Sequence, residues 1–198
     1  MTRLSRRALY SALALGVGLA LAACSAPAPP AVEEEAAPAA AEGPGVSFTQ
    51  EPNVLHIEID GKPFANYHYG DTKTTRPFFA NVKTPSGVQV TRNHPLDPEK
   101  DLTDHETMHL GIWMSFGDIS GNDYWRLKAK TKHERFVEAP KGGPGKGSFT
   151  VRNYYWNVED TDRIAEEVAT YTIEVVDDGY LLLWDTTFSP YGETEEIV

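Results

Sequence analysis

Beyond Val46, short apolar and aromatic runs alternate with polar residues at a period of two, and turn residues separate the runs. That is the pattern of half-buried strands joined by hairpins. Leu55, Ile57 and Ile59 alternate with His56 and Glu58, and Asp60-Gly61 then turns the chain so that Phe64 to Tyr69 returns beside them. Further strands are predicted over Phe78 to Thr84 and Val88 to Thr91, around Pro85-Ser86-Gly87, and over His109 to Phe116. Lys130 to Glu138 and Ser148 to Asn157 flank a glycine-rich loop, and Glu166 to Val176 and Tyr180 to Phe188 flank Asp177-Asp178-Gly179. No segment after the N-terminal one holds a helical period over ten residues. The expected fold is therefore all-β, an antiparallel β-sandwich over residues 46–198. The final Glu195-Glu196-Ile197-Val198 reads as the start of another strand. A sandwich cut there has an open edge, so the expectation is a fold incomplete at its C-terminus, part of a longer protein.

The N-terminus changes the picture from a free domain to a tethered one. Arg3, Arg6 and Arg7 precede an apolar run from Leu9 to Ala23, shorter than the ~20 residues of a membrane-spanning helix. The run ends in Leu21-Ala22-Ala23-Cys24, which resembles the bacterial lipobox. Residues 1–23 are thus expected to be a signal peptide and Cys24 the site of lipidation (diacylglyceryl, then palmitate). Cys24 is the only cysteine, so no disulfide forms within the chain and no thiolate is left for a metal. Ser5-Arg6-Arg7 partly matches a twin-arginine export signal, leaving the export route open. Ser25, rather than Asp, follows the cysteine, which favours the outer membrane in a Gram-negative cell. Residues 24–45 are rich in Ala, Pro and Glu and hold no large apolar residue except Val32, so they read as a disordered tether. A short helix over Glu33 to Ala41 is the alternative.

Charge narrows the partners. Of 18 basic residues, three lie in the signal peptide; the other 15 face 29 acidic residues, a net −14 for the mature chain. That opposes binding to nucleic acid and to anionic lipid surfaces. Membrane attachment is expected through the lipid on Cys24 alone.

Residues 93–126 concentrate the unusual chemistry. His94, His105 and His109 lie there with Asp97, Asp101, Asp104, Glu106, Asp118 and Asp123, and with Trp113, Tyr124 and Trp125. Arg92 to Met108 is a long connection, the kind that carries function on a rigid scaffold. Three readings stay open. His105 and His109 with Asp104 or Glu106 can ligate zinc, iron or copper, provided a helical turn brings both imidazoles to one face. The histidines can be general acid and base in a sugar site, with the tryptophans as stacking platforms. Or the histidines and aspartates close the loop by hydrogen bonds and the tryptophans are core. Elsewhere, His56 and His68 read as cross-strand or surface residues. Lys128, Lys130, Lys132, His133 and Arg135 read as a solvated strand face, and Tyr154-Tyr155-Trp156 as strand core.

The runs His94-Pro95-Leu96-Asp97, Asp104-His105-Glu106-Thr107-Met108-His109-Leu110-Gly111-Ile112-Trp113 and Phe116-Gly117-Asp118-Ile119-Ser120-Gly121-Asn122-Asp123-Tyr124-Trp125 closely resemble a bacterial family labelled "methane oxygenase PmoA". Gly61-Lys62-Pro63-Phe64 and Gly179-Tyr180-Leu181-Leu182-Leu183-Trp184-Asp185 extend the resemblance over most of residues 50–198. The label does not describe this chain, which lacks the membrane helices of that oxygenase, and literal methane oxidation is not expected. The resemblance implies members about twice as long as this domain, a large sandwich like that of sugar mutarotases, and a place beside carbohydrate-degradation genes. It carries over His105 and His109 as site residues; some relatives have D-H-x-H-H in place of D-H-E-T-M-H.

The resulting expectation is an envelope lipoprotein that binds or acts on a carbohydrate. His94, His105 and His109 are its candidate catalytic residues, and Asp104, Trp113, Asp118, Asp123 and Trp125 its candidate ligand contacts. The alternative is a non-catalytic structural or binding module with no bound metal. No cofactor is required, although a metal held by His and Asp fits the residue types.

Overall fold

A computed structural model describes residues 43–192 and 196–198. The segments expected to be a signal peptide and a tether, with Cys24, lie outside the described residues up to residue 42. Nine strands form: β1 (Gly45–Glu51), β2 (Val54–Ile59), β3 (Lys62–His68), β4 (Phe78–Ala80), β5 (Thr131–Lys141), β6 (Gly143–Pro144), β7 (Lys146–Trp156), β8 (Arg163–Val176) and β9 (Gly179–Pro190). Among the described residues there is no helix. One sheet has the order β4-β3-β2-β1-β6, the other β5-β7-β8-β9, and all pairings are antiparallel. The two sheets pack face to face as a β-sandwich.

The alternation read from sequence sets the register. Leu55 and Ile57 of β2 lie opposite Tyr67 and Ala65 of β3 and face inward with them. Phe149 and Val151 of β7 lie opposite Tyr171 and Ala169 of β8. These two inner faces form one apolar core with Phe79 and Ile173. Tyr67 sits at its centre, with ring centroids 4.9 Å from Phe79 and 5.1 Å from both Phe149 and Tyr171. Asp60 (φ 51°) and Gly61 (φ 68°) make the β2–β3 turn, where both central residues must take positive φ.

Three elements differ from the pattern-based reading. The alternation does not mark β1 as a strand, yet Val46 faces inward and Phe48 packs against the core. It opens at Gly45, one residue before the boundary expected between tether and domain. Residues His109 to Phe116 form no strand. Only Ile112 bridges to Phe79, because a turn over residues 104–108 delivers the chain across β4 rather than along it. Val88 to Thr91 likewise contributes a single bridge, Gln89 to Lys83, since the Pro85-Ser86-Gly87 turn is too tight to extend it. β9 is the outer strand of its sheet, and no described strand pairs with its far edge. Leu181 and Leu183 point outward there, 43% and 46% exposed.

One acid lies inside. The inward row of β8 is Ala165, Glu167, Ala169, Tyr171 and Ile173, so Glu167 interrupts an otherwise apolar stripe. Its carboxyl accepts from Asn153 Nδ2 at 3.0 Å, Tyr155 Oη at 3.4 Å and Thr186 Oγ1 at 3.0 Å. Burial outweighs these donors and raises its pKa above the usual carboxylate value. The folded state therefore holds the proton more tightly than the unfolded chain. Its contribution is fully present below the ordinary glutamate pKa of about 4.3 and is lost as pH rises through the folded value. The melting temperature of the wild type relative to Glu167→Gln should thus fall as pH rises from mildly acid to neutral. A difference that stays flat with pH, or rises, overturns this.

Candidate functional site

Nearly all the residues singled out above lie in the connections between β3 and β4 and between β4 and β5. They fall into two groups around one buried cation.

The first group surrounds His94. Asn81, just after β4, fixes its backbone: the His94 N–H donates to Asn81 Oδ1 at 2.9 Å and its carbonyl accepts from Asn81 Nδ2 at 3.3 Å. The His94 imidazole Nε2 lies 3.0 Å from Asp71 Oδ2. Its ring meets His68 edge-on, with centroids 4.5 Å apart, and His68 in turn stacks on Phe78 at 5.0 Å. Asp71 Oδ1 accepts the backbone N–H groups of Lys73 at 2.8 Å and Thr74 at 2.7 Å. Burial alone would raise the Asp71 pKa, but the amides of Thr74 and Lys73, together with His94, more than offset it and hold the group below its usual value. Burial, reinforced by His94, pushes His68 down to about 4, so it is neutral at physiological pH. His94 lines two clefts, one with Asn66, Lys83 and Gln89, the other with Lys73, Glu106 and Thr107.

The second group is exposed. Arg92 clamps Asp104 through its carbonyl at 2.6 Å and its Oδ1 at 2.7 Å. Asp104 Oδ2 lies 3.2 Å from His105 Nδ1, and these two partners, His105 first, lower the Asp104 pKa. His105 takes a left-handed conformation (φ 51°), a strained one for a non-glycine residue. Its carbonyl then accepts from Met108 N at 2.9 Å and His109 N at 3.1 Å, a single helical turn. That turn puts the two imidazoles at 5.4 Å, the face-sharing that D-H-x-x-x-H demands. His109 lies 6.0 Å from Trp113 and 6.5 Å from Trp125, and the two indoles meet edge-on at 4.8 Å. Trp125 is 41% exposed despite these contacts. Asp118 and Asp123 make local turn bonds, Asp118 to Gly121 N at 2.6 Å and Asp123 to Arg126 N at 3.0 Å. Among the described residues no three His, Cys, Asp or Glu side chains are grouped as a metal ion requires.

Arg76 lies between the groups, 4% exposed. Its Nη1 donates to the carbonyls of Tyr124 and Trp125, each at 3.1 Å, and its Nη2 to that of Met108 at 2.8 Å. Its guanidinium carbon sits 3.5 Å from the centre of the Trp113 ring. Burial lowers its pKa to about 10, so it stays a cation at neutral pH. Arg76 thus ties the His105–His109 turn to the Trp125 loop.

A family model described as a family of unknown function (DUF6807) matches residues 54–196. The chain belongs to that family. The match covers every strand except β1 and both groups of the site, so the His-Asp-Trp segment lies within the family's own domain. No curated protein and no solved structure matches the chain. The family's description assigns no activity.

Sequence reasoning missed Asp71 and Arg76; it read His68 as a cross-strand or surface residue, and His68 does lie across from Phe78 of β4, but it also meets His94. The signals were present but weak: a histidine closing a strand just before Gly70-Asp71, and an arginine set directly against Pro77-Phe78-Phe79. The basic stretch read as a solvated strand face is more engaged than that. Lys130 Nζ lies 2.8 Å from Asp160 Oδ2, and Lys132 pairs with the other oxygen of Asp160. His133 packs against Tyr69 at 4.8 Å and Phe136 at 5.0 Å, and burial pushes it down to about 4. Tyr154 and Tyr155 are both buried as expected, and the Arg163 guanidinium covers the Tyr154 ring at 4.0 Å.

Proposed function

We propose that this chain is an envelope lipoprotein, anchored through Cys24, whose sandwich binds carbohydrate on the exposed face formed by Trp125, Trp113 and His109. The observation that carries the reading is Trp125, an indole left 41% exposed beside a second indole and an imidazole. An aromatic face of that kind stacks on the apolar C–H face of a sugar ring, and neighbouring polar tips reach its hydroxyls. His105 and His109 supply ring nitrogens and Asp104 a carboxylate at the same rim. The strong negative charge of the mature chain favours a ligand that is not itself a polyanion.

Binding is favoured over turnover because the three imidazoles do not share one cleft. His94 is held by Asp71, and His105 and His109 stand on the outer face with the tryptophans. The test uses the full-length protein, purified in detergent, on a glycan array. Trp125→Ala and His109→Ala should each weaken binding about tenfold or more, equivalent to roughly 1.4 kcal/mol. Both side chains are exposed, so stability should change by no more than about 0.5 kcal/mol. In cells, Cys24→Ala should move the protein from the membrane to the soluble fraction. Absence of glycan binding, or binding that both variants retain, defeats the carbohydrate reading.

A further inference from the structure

A third cleft, of about 470 Å³, is lined by Arg76 but by neither tryptophan. It opens between the Tyr69–Arg76 connection and the start of β5, where Thr131 N donates to the Thr75 carbonyl at 2.9 Å. Its wall carries Arg76, Lys130, Lys132 and His133, with Asp71 as its one acid. Three polar atoms on that wall are buried with no hydrogen-bond partner: Arg76 Nε, Thr75 Oγ1 and His133 Nδ1. Native interiors leave few such atoms, and each one calls for a physical reason.

The charges around this cleft do not cancel. Arg76 has no carboxylate partner among the described residues; its bonds go to three carbonyls and an indole. Lys130 and Lys132 share the single carboxylate of Asp160. Both oxygens of Asp71 are already engaged, by Lys73 N, Thr74 N and His94. Three cations against Asp71 and Asp160 leave a positive balance, in a chain whose formal charge is −11. A recess with walls of low dielectric focuses such an excess onto an anion. Guanidinium, ammonium and hydroxyl groups together are the donors a planar oxyanion takes.

We infer that this cleft binds the carboxylate of a small acidic sugar, a uronate. The carboxylate is argued from the cleft alone, while the sugar rests on the carbohydrate reading above. Arg76 then serves both faces, its stacked side supporting Trp113 and its charge drawing the anion.

The experiment is titration calorimetry on the full-length protein in detergent, with glucuronate, glucose and inorganic phosphate as probes. Glucuronate should bind at least tenfold more tightly than glucose or phosphate, and added salt should weaken it. Arg76 variants risk unfolding, so the variants are Lys132→Gln and Thr75→Val. The first leaves Lys130 with Asp160, and the second removes only a partnerless hydroxyl. Each should weaken glucuronate severalfold, whereas Trp125→Ala should act on glucose and so raise the glucuronate-to-glucose ratio. Phosphate binding as tightly as glucuronate overturns the carboxylate assignment. Neutral glycans binding with no preference for glucuronate overturns the cleft while leaving the Trp125 reading intact. Glucuronate bound through Lys132, with neutral glycans ignored and Trp125→Ala silent, upholds the cleft and removes the exposed-face reading.

Discussion

Arg76→Met is expected to cost about 4 kcal/mol of stability and to lower the melting temperature by roughly 10 °C or more. The substitution keeps most of the volume and removes the donors. The carbonyls of Met108, Tyr124 and Trp125 then lose the partner that reaches them inside the protein, at about 1–3 kcal/mol each. The stacking contact with Trp113 goes as well. Removing the desolvation cost of a buried cation offsets part of the loss, which is why the net is set near the lower end of that sum. Chemical denaturation measures the stability and near-ultraviolet circular dichroism reports the indoles. A variant as stable as the wild type, with unchanged tryptophan signal, shows that the two loops hold together without the arginine.

Gly111→Ala should cost about 3 kcal/mol and disorganise the exposed face. A Cβ built on Gly111 lies 1.8 Å from the Phe79 carbonyl oxygen and 2.9 Å from its carbon. Those are backbone atoms of β4 and have no room to retreat. The clash pushes the segment off β4 and breaks the paired bonds Phe79 N to Ile112 O, 2.8 Å, and Ile112 N to Phe79 O, 2.9 Å. Two hydrogen bonds at about 1 kcal/mol each and overpacking of about 1–3 kcal/mol set the scale. Glycan binding should fall with stability here, unlike in Trp125→Ala, because His109 and Trp113 flank the displaced residue. Retained stability and retained binding in Gly111→Ala contradict this packing.

The strands were legible where one face of the chain is buried and the other wet. Period-two alternation over Leu55–Ile59 and over Glu166–Val176 needs no knowledge of partners, and the positive-φ turn at Asp60-Gly61 marks its own hairpin. β1 is weaker because only Val46 is deeply buried and its outer half is exposed. The run His109 to Phe116 misled for the opposite reason. Leu110 packs on Phe78 and Ala80 of β4, Phe116 on Tyr155 and Phe188, and Trp113 on Arg76, all without a ladder, and a period of two does not reveal that. Much the same limit applies to the site. His105, His109, Trp113 and Trp125 stand close in sequence and come together in space. Asp71 reaches His94 and Arg76 reaches Trp125 across 23 and 49 residues of chain, and a single sequence carries no record of such contacts.

The outer edge of β9 bears on how copies of this protein behave toward one another. A twelve-residue strand with backbone donors and acceptors facing outward, and Leu181 and Leu183 beside them, is a template for any extended chain laid along it. In a concentrated sample the nearest such chain is the β9 of another copy. Asp177, Asp178 and Asp185, none of them in an ion pair among the described residues, stand near that edge and hold copies apart by repulsion. The colloidal stability of the protein is therefore set at its rim, by three aspartates, rather than in its core.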